Sequence, residues 1–183
     1  HSPSRRQRQM CIRDSLNVEK VIWLPRGLYN DETNGHVDNI LHVVKPGEVV
    51  LTWCDDKNDP QYEISKEAYD YITSQTDAKG RQIKVHKLPM PGPLFMTEEE
   101  AAGIDIADGM EREAGERLAA SYANYLITNN QIVLPLLDQR YDSDVIGILE
   151  GIYPGYEVNG VPAREILLGG GNIHCITQQV PRV

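Results

Sequence analysis

The first clear pattern along the chain is a pair of short apolar runs separated by a turn. Residues 39–44 and Glu48–Trp53 are rich in β-branched side chains, and Lys45-Pro46-Gly47 lies between them. Such runs on either side of a Pro-Gly turn predict a β-hairpin. A shorter apolar run, residues 21–24, ends at Pro25 and predicts an earlier strand.

The next pattern has helical periodicity. Asp59 precedes Pro60, which is the order of a capping residue and a proline at the first helical position. Apolar side chains then recur at helical spacing, at Ile64, Ala68, Tyr71 and Ile72. We expect this helix to end near Gly80 and a further strand to cover residues 83–88.

The same order of elements returns 83 residues downstream. Residues 122–127 and 131–137 predict two strands, and a helix follows from about Ser143. Four pairs match at this offset: Val50 with Val133, Leu51 with Leu134, Asp55 with Asp138, and Asp59 with Asp142. The pattern therefore predicts an α/β fold in which a strand–strand–helix–strand (ββαβ) unit occurs twice. Such units bury their faces by stacking or by closing into a ring. Between them, Thr97 and Glu100 have the spacing of a capping box and predict a short helix.

Composition narrows the class of protein. The 183 residues include 18 basic and 27 acidic side chains, for a net charge of −9, which argues against nucleic acid as a partner. No apolar run reaches the roughly 20 residues of a membrane span. Three cysteines are too few for a disulfide framework, so we expect a cytoplasmic setting.

Residues 1–15 differ from the rest of the chain. They hold four arginines against one acidic residue and show no apolar period. The segment resembles translated adapter sequence, so we predict that residues 1–15 are non-native and that residues 16–183 form part of one catalytic domain. A basic binding arm is the alternative.

Two motifs hold candidate catalytic groups. In the first, His36 and Asp38 would share one face if His36 opened a strand, and an imidazole beside a carboxylate is suited to acid–base chemistry. In the second, the three glycines Gly169, Gly170 and Gly171 require a tight turn or a close approach to the backbone. Cys175 follows that turn and is a candidate nucleophile.

Each motif also has a structural interpretation. The first could be a polar strand edge with a surface histidine, and Cys175 could be a buried, inert thiol. A metal site could draw on His36, Asp38, His42, His174 and Cys175. None of the usual ligand spacings is present, so we expect no metal and no other cofactor.

Taken together, the motifs resemble the agmatine deiminases of the guanidino-group-modifying superfamily, which also contains the peptidyl-arginine deiminases. The matching segments are residues 23–25, 31–39, 53–60, 96–100, 117–122 and 169–179. The resemblance implies a five-blade α/β propeller (the pentein fold) built of ββαβ blades, of which this chain would hold roughly half. It also implies that Cys175 is the nucleophile, His36 the acid/base and Asp38 a guanidinium ligand. Glu32 would bind the distal ammonium, and Gly169, Gly170 and Gly171 would pass close to the substrate.

The reaction implied is hydrolysis of agmatine, a small cationic guanidine, to N-carbamoylputrescine and ammonia through an amidino-cysteine, as a step in polyamine biosynthesis. Peptidyl or free arginine is an alternative substrate, and a non-catalytic interaction domain is an alternative function. Self-association is left open. A further guanidinium-binding aspartate of the family lies upstream of the matching region, so we expect this chain alone to be an inactive or barely active fragment.

Overall fold

Two ββαβ units follow one another along the chain, as the sequence pattern predicts. The structure is a computed structural model that describes residues 13–104 and 113–180. The segment that we predict to be non-native lies almost wholly outside these ranges, and that assignment stays a prediction.

The first unit is a three-stranded sheet with one crossover helix. Strand β1 (Leu41–Lys45) pairs antiparallel with β2 (Glu48–Trp53), which confirms the hairpin. Strand β3 (Lys84–Pro89) pairs parallel with β2, and helix α1 (Pro60–Thr73) makes the crossover between them. Asp59 caps α1 by accepting a hydrogen bond from the backbone N–H of Gln61 at 2.8 Å.

The connector between the units contains the predicted short helix α2 (Glu98–Gly103). Its capping box is formed: the Thr97 side chain accepts from the N–H of Glu100, and the Glu100 carboxylate accepts from the N–H of Thr97. Arg164 donates two hydrogen bonds to the same carboxylate and thereby lowers the pKa of Glu100 to about 2. The ion pair between Glu100 and Arg164 therefore links the connector to the second unit.

The second unit repeats the topology of the first. Strand β4 (Leu126–Ile127) pairs antiparallel with β5 (Gln131–Leu136), and β5 pairs parallel with β6 (Glu157–Pro162) after helix α3 (Asp142–Ile152). Helix α4 (Arg164–Leu168) follows. Strands β2 and β5 begin 83 residues apart, so the offset read from the sequence is the structural one.

The two units pack face to face. Along β2, Leu51 joins a core with Ile64 and Ala68 of α1, whereas the neighbouring Val50 points the opposite way. Val50 joins a second core with residues of the other unit, among them Ile132 and Val145. The first sheet is therefore covered on both faces, which is the way such units bury apolar surface.

One local prediction was wrong throughout and two were wrong in their extent. Residues 21–24 form no strand in the described structure, and Leu24 instead packs on the core beneath α1. Helix α1 ends at Thr73, where the hydroxyls of Thr73 and Ser74 bond back to helix carbonyls, and Gly80 lies in a later turn. The predicted strand at 122–127 is reduced to its last two residues. Among the described helices, none has the length and apolarity needed to cross a membrane.

A buried ion pair ties the segment before β4 to the start of α1. Arg117 donates to both carboxylate oxygens of Asp59 at 3.0 and 2.8 Å, and the two side chains are only 13% and 8% exposed. The carbonyl of Arg117 also accepts from the side chain of Asn30 at 2.7 Å.

We expect Arg117→Met to lower the free energy of unfolding by about 3 kcal/mol, because it leaves the Asp59 carboxylate shielded from water without its partner. Urea denaturation followed by circular dichroism measures the change. Arg26→Met is the matched control, since Arg26 pairs with Glu67 at 2.7 Å on the exposed surface and should contribute less than about 1 kcal/mol. Equal effects of the two substitutions would contradict the expectation.

Candidate active site

The candidate nucleophile lies in a turn that follows a reversal of the backbone. After α4, Gly170 and Gly171 take positive φ angles of +81° and +90°, and Cys175 comes four residues later. A Cβ on Gly171 would lie 2.5 Å from Sγ of Cys175, and a Cβ on Gly170 would lie 2.9 Å from Oε1 of Glu32. Both glycines are therefore needed for conformation and for space.

Gly169 differs from its two neighbours. It has a φ of −82°, which any residue adopts, and it ends α4 as the C-cap. The predicted close approach thus applies to Gly170 and Gly171, and the groups that approach them are a thiol and a carboxylate of the protein itself.

Cys175 is an exposed residue whose sulfur has two polar neighbours. Nδ2 of Asn124 donates to Sγ at 3.0 Å, and Sγ lies 3.3 Å from Oδ2 of Asp38. The interpretation of Cys175 as a buried, inert thiol is therefore wrong, whereas Cys54 is buried and fits that description.

Asp38 is the centre of the polar cluster. Its Oδ2 lies 2.7 Å from Nδ1 of His174 as well as near Sγ of Cys175, while its Oδ1 is buried and has no hydrogen-bond partner among the described residues. Burial alone would raise the pKa of Asp38, but the bonds from His174 and Cys175 and the nearby charge of His36 hold that pKa below its ordinary value. The carboxylate is therefore ionised, with one oxygen available to a cationic ligand.

His36 does not open a strand. It is the exposed N-cap of a 3₁₀ turn, Val37–Asn39, so strand alternation does not place His36 and Asp38 on one face, and that prediction was wrong. The two residues are still coupled, because the charge of His36 contributes to the lowered pKa of Asp38. Glu32 is partly buried, and its carboxylate lies against Gly170 at the start of the nucleophile turn, residues 170–175.

Two histidines that sequence reasoning weighed only as metal ligands support the cluster. His42 stacks on Tyr125 with ring centroids 4.1 Å apart and meets the ring of His174 edge-on at 5.5 Å. Burial lowers the pKa of His42 to about 4, so this ring is neutral at pH 7. The position of His174 directly before Cys175 was the signal that could have singled it out.

The surroundings of the thiol favour its protonated form. Although the residue as a whole is exposed, partial burial of the sulfur raises the pKa of Cys175. Hydrogen bonds from the backbone of Asn172 and from the side chain of Asn124 lower that pKa, and the Asp38 carboxylate raises it further. A cation placed against Asp38 would offset its charge and favour the thiolate. Across the described ranges, no three His, Cys, Asp or Glu side chains converge as a metal site.

Comparison with known proteins places this arrangement in a family. The sequence pattern of the Porphyromonas-type peptidyl-arginine deiminases matches residues 2–181. The chain belongs to that family. The matched range begins at residue 2 and so includes most of the basic N-terminal segment.

Its relatives share both sequence and fold. A curated relative from Photobacterium profundum, named "Putative agmatine deiminase", is 64% identical over 98% of this chain and 50% of its own length, and one of the same name from Mycoplasma capricolum is 61% identical over 97% and 49%. The solved agmatine deiminase of Enterococcus faecalis is 42% identical with a TM-score of 0.91, over 98% of this chain and 49% of that protein. The mixed α/β fold is thus that of the agmatine and peptidyl-arginine deiminases. The chain spans about half the length of the curated relatives it matches.

We expect Gly171→Ala to disturb Cys175 specifically. The new methyl group would overlap Sγ, so the rate of Cys175 alkylation by iodoacetamide should change several-fold. Gly155→Ala is the matched control, because Gly155 has nearly the same φ, +88°, and open space where a Cβ would lie. Both variants should lose about 1 kcal/mol of stability from the left-handed backbone. A similar alkylation rate in both would show that the contact does not matter.

We expect Asp38→Asn to lower the pKa of the Cys175 thiol, because the carboxylate that opposes the thiolate is removed. Alkylation by neutral iodoacetamide should then begin at lower pH than in the unsubstituted chain. In the unsubstituted chain, we expect a cationic haloacetamidine to alkylate Cys175 faster than iodoacetamide does, because Asp38 attracts the cation. That difference in rate should disappear in the variant, since the negative charge of Asp38 is removed. Peptide mass spectrometry of Cys175 across a pH series measures both, and an unchanged or raised thiol pKa would contradict the expectation.

Proposed function

We propose that the protein hydrolyses the guanidinium group of agmatine, with Cys175 as the nucleophile. The observation that carries this proposal is the exposed thiol 3.3 Å from Asp38, an ionised carboxylate whose second oxygen is unused by the described residues. A guanidinium is a planar cation whose paired donors suit a carboxylate. Family membership supports the reaction class.

The chemistry proceeds in two displacements. The thiolate of Cys175 attacks the guanidinium carbon, a carbon–sulfur bond forms, and the tetrahedral adduct expels ammonia as His36 supplies a proton. His36 then takes a proton from water, which attacks the same carbon. The carbon–sulfur bond breaks, the thiolate returns, and the product carries a ureido group. The net change is one water consumed and one ammonia released.

Glu32 supports agmatine over arginine in this proposal. Agmatine carries a free ammonium at its far end, which the Glu32 carboxylate would attract. Free arginine also carries a carboxylate there, which the Glu32 carboxylate would repel. Glu32 lies beside Gly170, next to the turn that holds Cys175.

The remaining parts of the proposal concern the whole protein. Two stacked ββαβ units of equal topology, in a chain about half as long as its relatives, support a five-unit ring. The ureido product, N-carbamoylputrescine, would feed polyamine synthesis. Both cysteines in the described ranges, Cys54 and Cys175, are free thiols, which suits a reducing cytoplasm.

The test is incubation of agmatine, arginine and an arginine peptide with this chain and with a form extended upstream to the length of its relatives. We expect ureido product from agmatine in the extended form, and a covalent adduct on Cys175 with the mass of agmatine less ammonia. Cys175→Ser should abolish both. Product without any dependence on Cys175, or none from any guanidine in the extended form, would overturn the proposal.

Two histidine variants assign the acid/base. His36→Ala should slow turnover by at least about 100-fold at saturating agmatine, because both the loss of ammonia and the activation of water lose their proton-transfer group. His174→Ala should raise the KM for agmatine through Asp38 and change kcat less. The opposite pattern would transfer the acid/base role to His174.

A further inference from the structure

Asn124 holds the nucleophile turn at three points, although nothing in the sequence pattern singles it out. Its carbonyl accepts from the N–H of His174 at 3.2 Å, its Oδ1 accepts from the N–H of Cys175 at 3.2 Å, and its Nδ2 donates to Sγ of Cys175 at 3.0 Å. The residue is fully buried, with no exposed surface.

A second amide fixes the orientation of the first. Nδ2 of Asn124 also donates to Oδ1 of Asn39 at 2.8 Å, and Nδ2 of Asn39 donates in turn to Asp31 at 3.2 Å. If the Asn124 amide were flipped, its NH₂ would face the N–H of Cys175 and its oxygen would face the oxygen of Asn39. Both contacts would be repulsive, so the network itself requires that the donor point at the sulfur.

We propose that Asn124 is a positioning residue that supplies a hydrogen bond to the Cys175 sulfur whenever that sulfur is anionic. The inference rests on the proposed role of Cys175 as nucleophile. In that reaction the sulfur is a thiolate twice, before attack on the guanidinium carbon and after the carbon–sulfur bond breaks. The Asn124 N–H keeps its proton throughout and lowers the energy of the anion at both points. It also holds the sulfur in one place, because the same amide anchors the backbone of Cys175.

Asp38 is the charged group that acts directly on the same sulfur, and the test must hold it and its neighbours constant. Asp38 contacts Sγ, His174 is bonded to Asp38, the charge of His36 acts on Asp38, and Glu32 lies against Gly170. Substitutions at Asn124 leave all four side chains in the chain.

The test is the pH dependence of Cys175 alkylation by iodoacetamide in Asn124→Ala, read by peptide mass spectrometry. We expect the apparent thiol pKa to rise by about one unit, the value of a hydrogen bond to a charged group. An unchanged thiol pKa in a folded Asn124→Ala chain would overturn the proposal, even if its melting temperature had fallen.

A second pair of variants decides the matter if Asn124→Ala does not fold. Asn39→Ala removes the acceptor that orients the Asn124 amide and should raise the thiol pKa by a smaller amount. Ser65→Ala is the matched control: its hydroxyl is equally buried in the polar network but contacts Gln61 and the carbonyl of Thr52, so only the melting temperature should fall. Equal thiol pKa values in these two variants would overturn the proposal.

This measurement is independent of catalysis, since no guanidine is present. A chain that fails to convert agmatine but shows the pKa shift in Asn124→Ala would refute the proposed function alone. Normal turnover of agmatine by the upstream-extended form of Asn124→Ala, with an unshifted thiol pKa, would refute the role of Asn124 alone.

Discussion

The contact between the side-chain amides of Asn39 and Asn124 is the interaction on which the candidate site depends. Asn39 directly follows Asp38, and Asn124 holds the backbone and sulfur of Cys175. Both amides are at most 1% exposed, and a buried polar group without a partner costs free energy. Neither segment can shift without breaking a buried hydrogen bond, so the carboxylate and the thiol keep a fixed separation although they are 137 positions apart in the sequence.

The same polar network extends into the interface between the two ββαβ units. The Thr52 hydroxyl of β2 meets that of Ser121 at 2.8 Å and lies 3.3 Å from the carbonyl of Asn39, and the hydroxyl of Ser65 on α1 donates to the carbonyl of Thr52. Apolar packing covers both faces of the first sheet, but it does not specify register as narrowly as directional bonds do. The site is therefore built where the two units meet.

Three ionisable groups in the site differ in protonation because their surroundings differ. Burial against Tyr125 keeps the ring of His42 neutral, whereas hydrogen bonds from His174 and Cys175 keep Asp38 ionised. The thiol of Cys175 stays protonated next to that carboxylate. A neutral thiol is protected from oxidation, since the thiolate is the reactive form. A cationic ligand at Asp38 would offset the charge of the carboxylate and so favour the thiolate when that ligand is bound.

The sequence by itself determined the repeated unit through its local periodicity. It also determined the α1 cap at Asp59 and the capping box at Thr97, because both depend on hydrogen bonds within the next turn. Motif resemblance placed Asp38 and Cys175 in one cluster. It did not determine the 3₁₀ turn after His36, the part played by His174, or the buried amides of Asn39 and Asn124. An asparagine within a predicted strand carries no local signal of its partner, because the hydrogen bonds that give Asn124 its role join residues 85 and 51 positions apart. Only the stacking of one unit on the other brings those groups within bonding distance.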